Sequence, residues 1–382
     1  MSKKKLTILI DWYLPGTKAG GPVRSVFSLV QLLKEELDIS IITTNTDLGT
    51  NTTYRTITPN TWIEQDGIKV FYFSHENLNK QNLSQVLLDT NSDVIYLNSF
   101  WSYWFSIFVI QLKNKGALKC PVILAPRGML GKGALGIKPL KKKLYLTLSK
   151  LKGFYDHVSF QATNQQELND IKAQFKNANA KIIANVSNAS PLHLNKSKQE
   201  NVIDLFFLSR ISKVKNLHFA LEVLSKVSSS IKVNYTIYGN IEDAAYWEHC
   251  SQLISKLPSH INIIYKGELA FDTIQTTIAQ HHFLFLPTLN ENFGHSIVES
   301  LMSGCPVIIS DQTPWNDVKE ADAGFAIPLN DHQKFIALIE QLAVINNETY
   351  NKKANAAISY ISKKLNIPLI KENYLKLFHA ES

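Results

Sequence analysis

Short apolar runs alternate with amphipathic stretches along the first half of the chain. The runs KLTILID, DISIITT, IKVFYF, DVIYLN and PVILAP have the length and composition of buried strands. Between several of them apolar residues recur every three to four positions. One predicted helix starts at about Pro22, with Val23, Val26, Phe27, Val30 and Leu33 on one stripe. Strands that alternate with helices predict a mainly parallel sheet covered on both faces.

A second series of the same kind starts near residue 203. Its predicted strands are IDLFFLS, VNYTIYG, INIIYKG, FLFLP, CPVIIS and GFAIP, with helices such as NLHFALEVLSKV and AAYWEHCSQLISKL between them. The polar, proline-containing stretch NASPLHLNKSKQEN is the predicted linker. The fold class is therefore α/β, with two doubly wound Rossmann-like units in tandem. We place the domains at 1–190 and 191–365, followed by a C-terminal helix in 366–382.

Composition narrows the class of protein. The chain has 382 residues, of which 45% are hydrophobic, and its three cysteines lie far apart. No disulfide framework or metal spacing follows from them, which fits a reducing compartment. The apolar run at the basic N-terminus is too short for a signal peptide. The most apolar segment, FWSYWFSIFVIQL, is too short to span a bilayer. We expect a cytoplasmic protein.

The net charge of +8 is unevenly distributed. Residues 127–155 contain eight basic residues and no acid, and leucines are interleaved with the lysines in KKKLYLTLSKLKGF. A solvated helix face is one interpretation. A helix lying on an anionic membrane surface, here the inner membrane, is the other. No nucleic-acid-binding motif accompanies the basic residues, so we expect no nucleic-acid partner.

Ligands bind at the carboxyl ends of strands in such sheets, so residues that directly follow strands are candidates. The first of these loops is GTKAGGPVRS, which is neither a Walker loop nor GxGxxG. Gly20 and Gly21 would let the backbone approach a ligand closely, while Pro22 suits the start of a helix. A flexible loop before a helix is the alternative.

Charged residues follow two strands of the second series. Arg210 and Lys215 come after IDLFFLS, ahead of the next helix, which suits a phosphate. Glu291 and Glu299, in ENFGHSIVE, come after FLFLP. Together they could serve a nucleotide sugar, with cations for the diphosphate and carboxylates for sugar hydroxyls. The alternatives are a surface pair of cations and a capping box formed by Ser296 with Glu299.

Four segments, AGGPVRSV, APRGML, SRISKVKN and ENFGHSIVESLMSGCPVI, carry a resemblance to the family 4 glycosyltransferases. The resemblance runs over nearly the whole chain. It implies the GT-B fold, in which two Rossmann-like domains face a central cleft. The N-terminal domain would bind the acceptor and the C-terminal domain the nucleotide sugar. The C-terminal helix would pack back toward the N-terminal domain.

The resemblance also assigns roles. Arg210 and Lys215 match the basic pair that holds the donor diphosphate, and Glu291 matches the acid that binds hydroxyls of the donor sugar; these three are the candidate catalytic residues. Glu299 matches the acid that grips the ribose. The other residues that the resemblance places in the donor site are Gly20, Gly21, Asn98, Asn292, Phe293, Gly294, His295, Ser296 and Val298. Arg24 and Arg127 are candidate contacts to the acceptor or to a phosphate, and a structural salt bridge is the alternative for Arg127.

The activity implied by the resemblance is retaining hexosyl transfer from a UDP- or GDP-sugar, without metal, cofactor or enzyme nucleophile. The acceptor would be a surface polysaccharide, such as a lipopolysaccharide or O-antigen chain, or a lipid-linked glycan at the inner membrane. One departure is Asn98, where many relatives carry a histidine. Asparagine does not take a proton at neutral pH. A nucleotide-sugar epimerase, a glycan phosphorylase, or an inactive relative that acts as a binding protein are the competing hypotheses.

Overall fold

A computed structural model describes residues 3–136, 138–194 and 196–379 of the chain. It divides into two compact units, the first made of Met1–Val186 with Ile367–Ser382, and the second of Ser187–Asn366. Each unit is built around one sheet with helices packed against it. Residues 380–382 of the predicted C-terminal helix, and Ile137 of the basic segment, lie outside the described residues.

The sheet of the first unit has eight strands among the described residues, in the order β3-β4-β2-β1-β5-β6-β7-β8. All neighbouring pairs are parallel except β3 with β4. Central strands are buried on both faces, which explains their unbroken apolar sequences. The strands are β1 (Lys4–Ile10), β2 (Leu37–Thr44), β3 (Trp62–Gln65), β4 (Ile68–Phe73), β5 (Val94–Asn98), β6 (Val122–Ala125), β7 (Ser159–Ala162) and β8 (Ala180–Ile182).

Seven α-helices accompany this sheet in the described chain. They are α1 (Gly21–Leu33), α2 (Lys80–Asp89), α3 (Val109–Asn114), α4 (Lys132–Leu135), α5 (Pro139–Leu151), α6 (Gln165–Gln174) and α13 (Ile367–His379), with a π-helical stretch at Tyr103–Phe108. Helix α13 buries Ile370, Tyr374, Leu377 and Phe378. The Phe378 ring lies 5.4 Å from that of Tyr96 on β5. Helix α13 therefore contributes to the core of the first unit.

The second sheet has six strands among the described residues, all parallel, in the order β11-β10-β9-β12-β13-β14. They are β9 (Val202–Leu208), β10 (Lys232–Tyr238), β11 (Ile261–Gly267), β12 (Phe283–Leu286), β13 (Val307–Ser310) and β14 (Gly324–Ile327). The helices are α7 (Leu217–Leu224), α8 (Ala244–Ile254), α9 (Ile274–Ile278), α10 (His295–Met302), α11 (His332–Ala343) and α12 (Asn347–Lys364).

Several helices begin where a side chain satisfies a free backbone N–H group. The residues that accept such a bond are Asn79, Asn164, Asp243, Asp331 and Asn346, at the starts of α2, α6, α8, α11 and α12. Asparagine and aspartate are preferred at this position because a short side-chain oxygen reaches the amide two or three residues on. No described helix is long and apolar enough to cross a membrane.

The predicted linker differs from a solvated tether. Lys196 and Lys198 lie within it, yet both are buried. The Lys196 Nζ atom donates to the carbonyls of His281 and Gly304, at 3.0 and 3.1 Å, and lies 2.8 Å from the Sγ atom of Cys305. The Lys198 Nζ atom donates to the Ala343 carbonyl at 2.7 Å. Because carbonyl acceptors compensate the buried ammonium groups, the segment packs onto the second unit.

Candidate active site

The loops that follow β9 and β12 are joined by hydrogen bonds to backbone carbonyls. These strands are neighbours in the second sheet, so their carboxyl ends lie side by side. The amide of Leu289 and the hydroxyl of Thr288 both donate to the Val214 carbonyl, at 2.8 and 3.0 Å. The Asn216 side chain donates to the Pro287 carbonyl at 2.9 Å. These hydrogen bonds hold the loop that carries Lys215 beside the loop that carries Glu291.

Lys215 and Glu291 form an ion pair at this corner. The Nζ atom of Lys215 lies 2.6 Å from the Oε2 atom of Glu291, and the side chains are only 13% and 16% exposed. Lys215 ends a 3-10 turn, Lys213–Lys215, and Glu291 is fixed by its amide, which donates to the Gln312 carbonyl at 3.0 Å. A cation and a carboxylate with little solvent around them interact strongly with any charged or hydroxylated ligand that reaches them.

Arg210 does not join this pair. Its Nη1 atom lies 2.6 Å from the Oε1 atom of Glu242, a residue that follows β10, and both side chains are about one-third exposed. Arg210 was predicted to act together with Lys215, and Glu242 was not among the predicted residues. The signal was present, because Glu242 also follows a strand of the same sheet. Each of the two predicted cations thus has its own carboxylate partner.

The start of α10 differs from the predicted capping box. The N-cap residue is Gly294, at φ +82°, whose carbonyl accepts the amides of Ile297 and Val298. Ser296 lies inside the first turn and is not the N-cap residue, so the prediction of a Ser296–Glu299 capping box is wrong. A left-handed N-cap favours glycine, which has no Cβ atom to strain. His295, Ser296, Val298 and Glu299 all lie on α10 and are buried.

The loop before α10 is anchored by an aromatic residue that was not among the predicted site residues. The indole Nε1 of Trp315 donates to the Phe293 carbonyl, and the two rings lie 5.8 Å apart. The Phe293 ring also lies 4.8 Å from the His295 ring. Asn292 stands between Glu291 and Phe293 in this anchored loop. Trp315 comes from a later loop, so neither spacing nor periodicity indicated its role.

In the first unit, Gly20 and Gly21 stand where the loop after β1 enters α1. Gly20 is the N-cap residue at φ 65° and ψ −116°, a conformation that favours glycine. The Asp47 carboxylate accepts the amides of Thr17 and Lys18, at 2.9 and 3.2 Å, which fixes the loop. Arg24 lies in the first turn of α1, and its amide donates to the Gly20 carbonyl at 3.1 Å.

Asn98 and Arg127 meet at the carboxyl ends of β5 and β6. The Nε and Nη2 atoms of Arg127 donate to the Asn98 Oδ1 atom, at 3.2 and 2.6 Å. Nη2 also donates to the Tyr96 hydroxyl at 3.2 Å, and Nη1 donates to the Asn185 side chain. These partners are amide oxygens and a phenol, so the predicted alternative of an Arg127 salt bridge does not describe the contacts. The backbone of Arg127 is left-handed, at φ 57°.

The Asn98 amide is held in one orientation. A guanidinium only donates, so it takes the amide oxygen and leaves the Nδ2 group at the other end. Asn98 is 2% exposed, and its Nδ2 atom has no hydrogen-bond partner in the part of the chain that the structure describes. An unsatisfied buried donor is costly unless a ligand group accepts from it.

A carboxyl group that was not among the predicted site residues lies at the end of the neighbouring strand. Asp11 follows β1, whose Ile10 is in register with Asn98. The Ser102 hydroxyl donates to the Asp11 Oδ1 atom at 2.7 Å. Burial raises the pKa of Asp11, and the Ser102 hydrogen bond opposes this shift. Its position directly after a strand was the available signal.

Comparison with known proteins relates the second unit to one family and the whole chain to known folds. Residues 191–363 match the family described as Glycosyl transferases group 1. A sucrose synthase of Melioribacter roseus is 26% identical over 192 residues, which are 45% of this chain and 24% of the synthase. The chain thus corresponds to about a quarter of that relative's length. An uncharacterized 41.2 kDa protein in the cps region of Klebsiella pneumoniae is 21% identical, over 75% of this chain and 79% of that protein.

The fold is also that of a solved structure. The crystal structure of Anabaena HepE in complex with UDP and glucose superposes with a TM-score of 0.72 at 15% identity, covering 99% of this chain and 100% of that one. At this identity the likeness concerns the fold, which is GT-B. The match at 191–363 covers the loops that carry Arg210, Lys215, Glu291 and Glu299. The second unit therefore matches the Glycosyl transferases group 1 family over residues 191–363, and the chain as a whole has the GT-B fold.

Proposed function

We propose that the protein transfers a sugar from a nucleotide sugar, of the UDP or GDP type, to a hydroxyl of a surface polysaccharide or a lipid-linked glycan. The Lys215–Glu291 pair carries this proposal. It sets a phosphate-binding cation beside a carboxylate that accepts hydrogen bonds from hydroxyls, at 2.6 Å, in a group 1 domain. A nucleotide sugar has its diphosphate and its sugar adjacent in the same way.

In the proposed reaction, the bond between the anomeric carbon and the diphosphate oxygen breaks, while the acceptor oxygen bonds to the same carbon. The acceptor proton passes to the leaving diphosphate, and the configuration is retained. Lys215 and Arg210 stabilise the charge that develops on the phosphate, which is the largest electrostatic demand of the step. Glu291 orients the sugar and is not a base. The positive charge of these residues would replace a metal ion.

The remaining candidates fit donor binding in the same proposal. Backbone groups of Asn292, Phe293 and Gly294 and the start of α10, with His295, Ser296 and Val298, would contact sugar and phosphate. Glu299 would bind the ribose. In the first unit, Gly20, Gly21 and Asn98 would contact the donor, while Arg24 would contact the acceptor or a phosphate. Arg127, whose donors are engaged by Asn98 and its neighbours, would act by holding Asn98.

Two likenesses support the substrate class. The HepE structure contains UDP and glucose, which favours a UDP-sugar donor. The Klebsiella relative lies in the cps region, which favours an acceptor in polysaccharide synthesis. The acceptor domain would be residues 1–190 with the helix after 366, and the donor domain residues 191–365. The proposed location is the cytoplasm, at the surface of the inner membrane.

The test is release of UDP or GDP from a panel of sugar nucleotides, in EDTA, by the full chain and two variants. We expect turnover with one donor, and a loss of roughly a hundredfold or more for Lys215→Ala, since removing one charge-stabilising group typically costs this much. Lys213→Ala is the matched control. It removes an exposed lysine of the same turn and should leave the rate unchanged.

Two outcomes would count against the proposal. Normal turnover by Lys215→Ala would remove the assignment of Lys215 to the phosphate. Failure of every sugar nucleotide, with the protein folded, would favour a binding protein of the same fold. Conversion of the donor to its epimer without release of the nucleotide would instead identify an epimerase.

A further inference from the structure

Helix α5 carries a row of leucines on the surface of the first unit. Leu140, Leu144, Leu148 and Leu151 are 83%, 62%, 48% and 79% exposed. Scattered exposed leucines are ordinary, but a contiguous apolar row on one helix marks a contact surface. We call these four side chains the leucine ridge.

The opposite side of α5 is fixed to the unit. Leu146 and Ser149 are buried, and the Tyr145 hydroxyl bonds to that of Tyr155 at 2.9 Å. The Lys142 Nζ atom donates to the Ala134 carbonyl at 2.6 Å and lies 5.2 Å from the centre of the Trp101 ring. Lys142 therefore belongs to the inner face, and so does not contribute to an outer charge. The leucine ridge is presented on a helix whose other face is anchored.

Lysines flank the leucine ridge on both sides. With 3.6 residues per turn, the four leucines span an arc of roughly 80°, with Lys143 and Lys150 beyond one edge and Lys141 and Lys152 beyond the other. All four lysines are exposed. The first acid after the helix is Asp156, past its C-terminal end. This is the pattern of a helix that lies in the plane of a membrane–water interface. The leucine ridge would face the acyl chains, and the lysines would lie at the level of the lipid phosphates.

The geometry points to an anionic phospholipid bilayer as the partner of this surface, with the leucine ridge inserted among the acyl chains. Charge complementarity selects the lipid, because no ion pair joins these four lysines to a carboxylate among the described residues. The Nζ atom of Lys150 donates to the neutral side chain of Gln174 at 3.1 Å and keeps its charge. Arg127, which belongs to the same basic segment, is engaged by Asn98 and takes no part. The inference deepens the proposed function, since a lipid-linked acceptor lies at such a surface. Binding is measured without turnover, so its failure leaves the donor chemistry untouched.

The experiment is co-sedimentation of the full chain with vesicles of phosphatidylcholine containing about a third phosphatidylglycerol, and with vesicles of phosphatidylcholine alone. We expect binding to the anionic vesicles only, and a loss of at least about tenfold in Leu144→Ser/Leu148→Ser, because each buried apolar side chain adds to the affinity. Leu88→Ser is the matched control. Leu88 lies on α2 of the same unit and is 48% exposed, as Leu148 is.

The outcomes separate insertion from other uses of the surface. Because the replaced leucines are exposed, both variants should keep the melting temperature of the parent. Vesicle binding that survives Leu144→Ser/Leu148→Ser would overturn insertion of the ridge, as would the absence of binding by the parent chain. A dimer in solution that this double variant abolishes, with no vesicle binding, would identify a second copy of the chain as the occupant and overturn the proposal.

Discussion

The carboxamide of Asn98 has its oxygen bonded to Arg127, while its nitrogen is buried without a partner among the described residues. Its chemistry toward a ligand is therefore that of a donor. Histidine, which the family resemblance leads one to expect there, can also donate from a ring nitrogen. The substitution by asparagine keeps a donor and gives up a group that titrates near neutral pH.

Asn98→Asp separates these roles. A carboxylate still accepts from Arg127 but has no N–H group, so the fold should be retained while turnover of the donor falls by about tenfold, the value of one hydrogen bond of ~1.4 kcal/mol. The measurement is kcat/KM for the donor, with the melting temperature as the check on folding. An unchanged kcat/KM in a folded Asn98→Asp protein would exclude Asn98 as a ligand contact.

His281 gives the second unit a pH-dependent stability. Burial lowers its pKa from 6.5 to about 4; nearby Asp204 opposes this shift, while Lys196 and His282 reinforce it. Between these two values the unfolded chain binds a proton that the folded chain does not. The contribution of neutral His281 to the free energy of unfolding is therefore full above pH 6.5 and is lost as the pH falls toward 4.

The expected loss from this residue is about 2 kcal/mol in the free energy of unfolding between pH 7 and pH 5. Urea denaturation at the two pH values measures it. His281→Gln should reduce the difference by that amount, although the lowered pKa of His282 will leave part of the dependence in place. His193→Gln, at an exposed position, should keep the parent's difference. Equal pH dependence in the two variants would contradict the assignment.

At the scale of elements, the start of α10 places a residue with a left-handed backbone, Gly294, against Glu291 of the proposed donor site. A Cβ atom on Gly294 would lie 2.9 Å from Ile297 Cδ1 and 3.1 Å from Glu291 Cγ, at a φ of +82°. Gly294→Ala should therefore cost about 1–2 kcal/mol of stability from the left-handed conformation and also displace Glu291. We expect a further loss of donor turnover, measured as kcat/KM.

Gly116→Ala is the control for the stability cost of placing alanine in a left-handed backbone conformation. Gly116 has a φ of +76°, and a Cβ atom there meets no described atom within 4 Å. It should lose similar stability without any change in turnover. If the two variants have the same kcat/KM, the start of α10 does not position Glu291.

The predicted strands show which elements a sequence specifies. Runs such as FLFL and VIIS are buried on both faces of a parallel sheet, so their composition alone identifies them. Strands β3, β7 and β8 were not predicted. The strand β3, WIEQ, is half-exposed at the sheet edge, and β8 has three residues; both exist because a neighbouring strand pairs with them. Their stability is tertiary, which local patterns do not record.

The same distinction holds in the candidate site. Lys215 and Glu291 were found together because the carboxyl ends of neighbouring parallel strands converge, a rule that needs no side-chain detail. The partners of Arg210 and Arg127 were not found. Asn185 is 58 residues from Arg127, and its approach depends on how the chain runs beyond β8. Side-chain pairing between distant loops thus remains the part that only the folded structure supplies.

At the scale of the whole molecule, the chain forms most of the first unit, then all of the second, and completes the first with α13. Phe378 on this helix is fully buried. Phe378→Ala should cost about 3–5 kcal/mol in the free energy of unfolding, the usual range for a buried phenylalanine. Urea denaturation measures this loss when it is followed by a probe in the first unit, such as the fluorescence of Trp101.

Lys376→Ala provides the comparison on the same helix. Its side chain is 68% exposed and forms an exposed ion pair with Glu372 one turn away, so its loss should change stability by less than about 0.5 kcal/mol. Equal stability of the two variants would mean that α13 contributes little to the core of the first unit.

The return of the chain at Ile367 also sets an order of events during synthesis on the ribosome. The residues that leave the first unit at Val186 are made about 180 residues before those that complete it. At roughly 5–20 residues per second, this interval lasts on the order of 10–40 s. During that time the nascent first unit lacks the helix that covers Tyr96, and its apolar surface is open to chaperones. The second unit, which is continuous in sequence, can finish folding before the first.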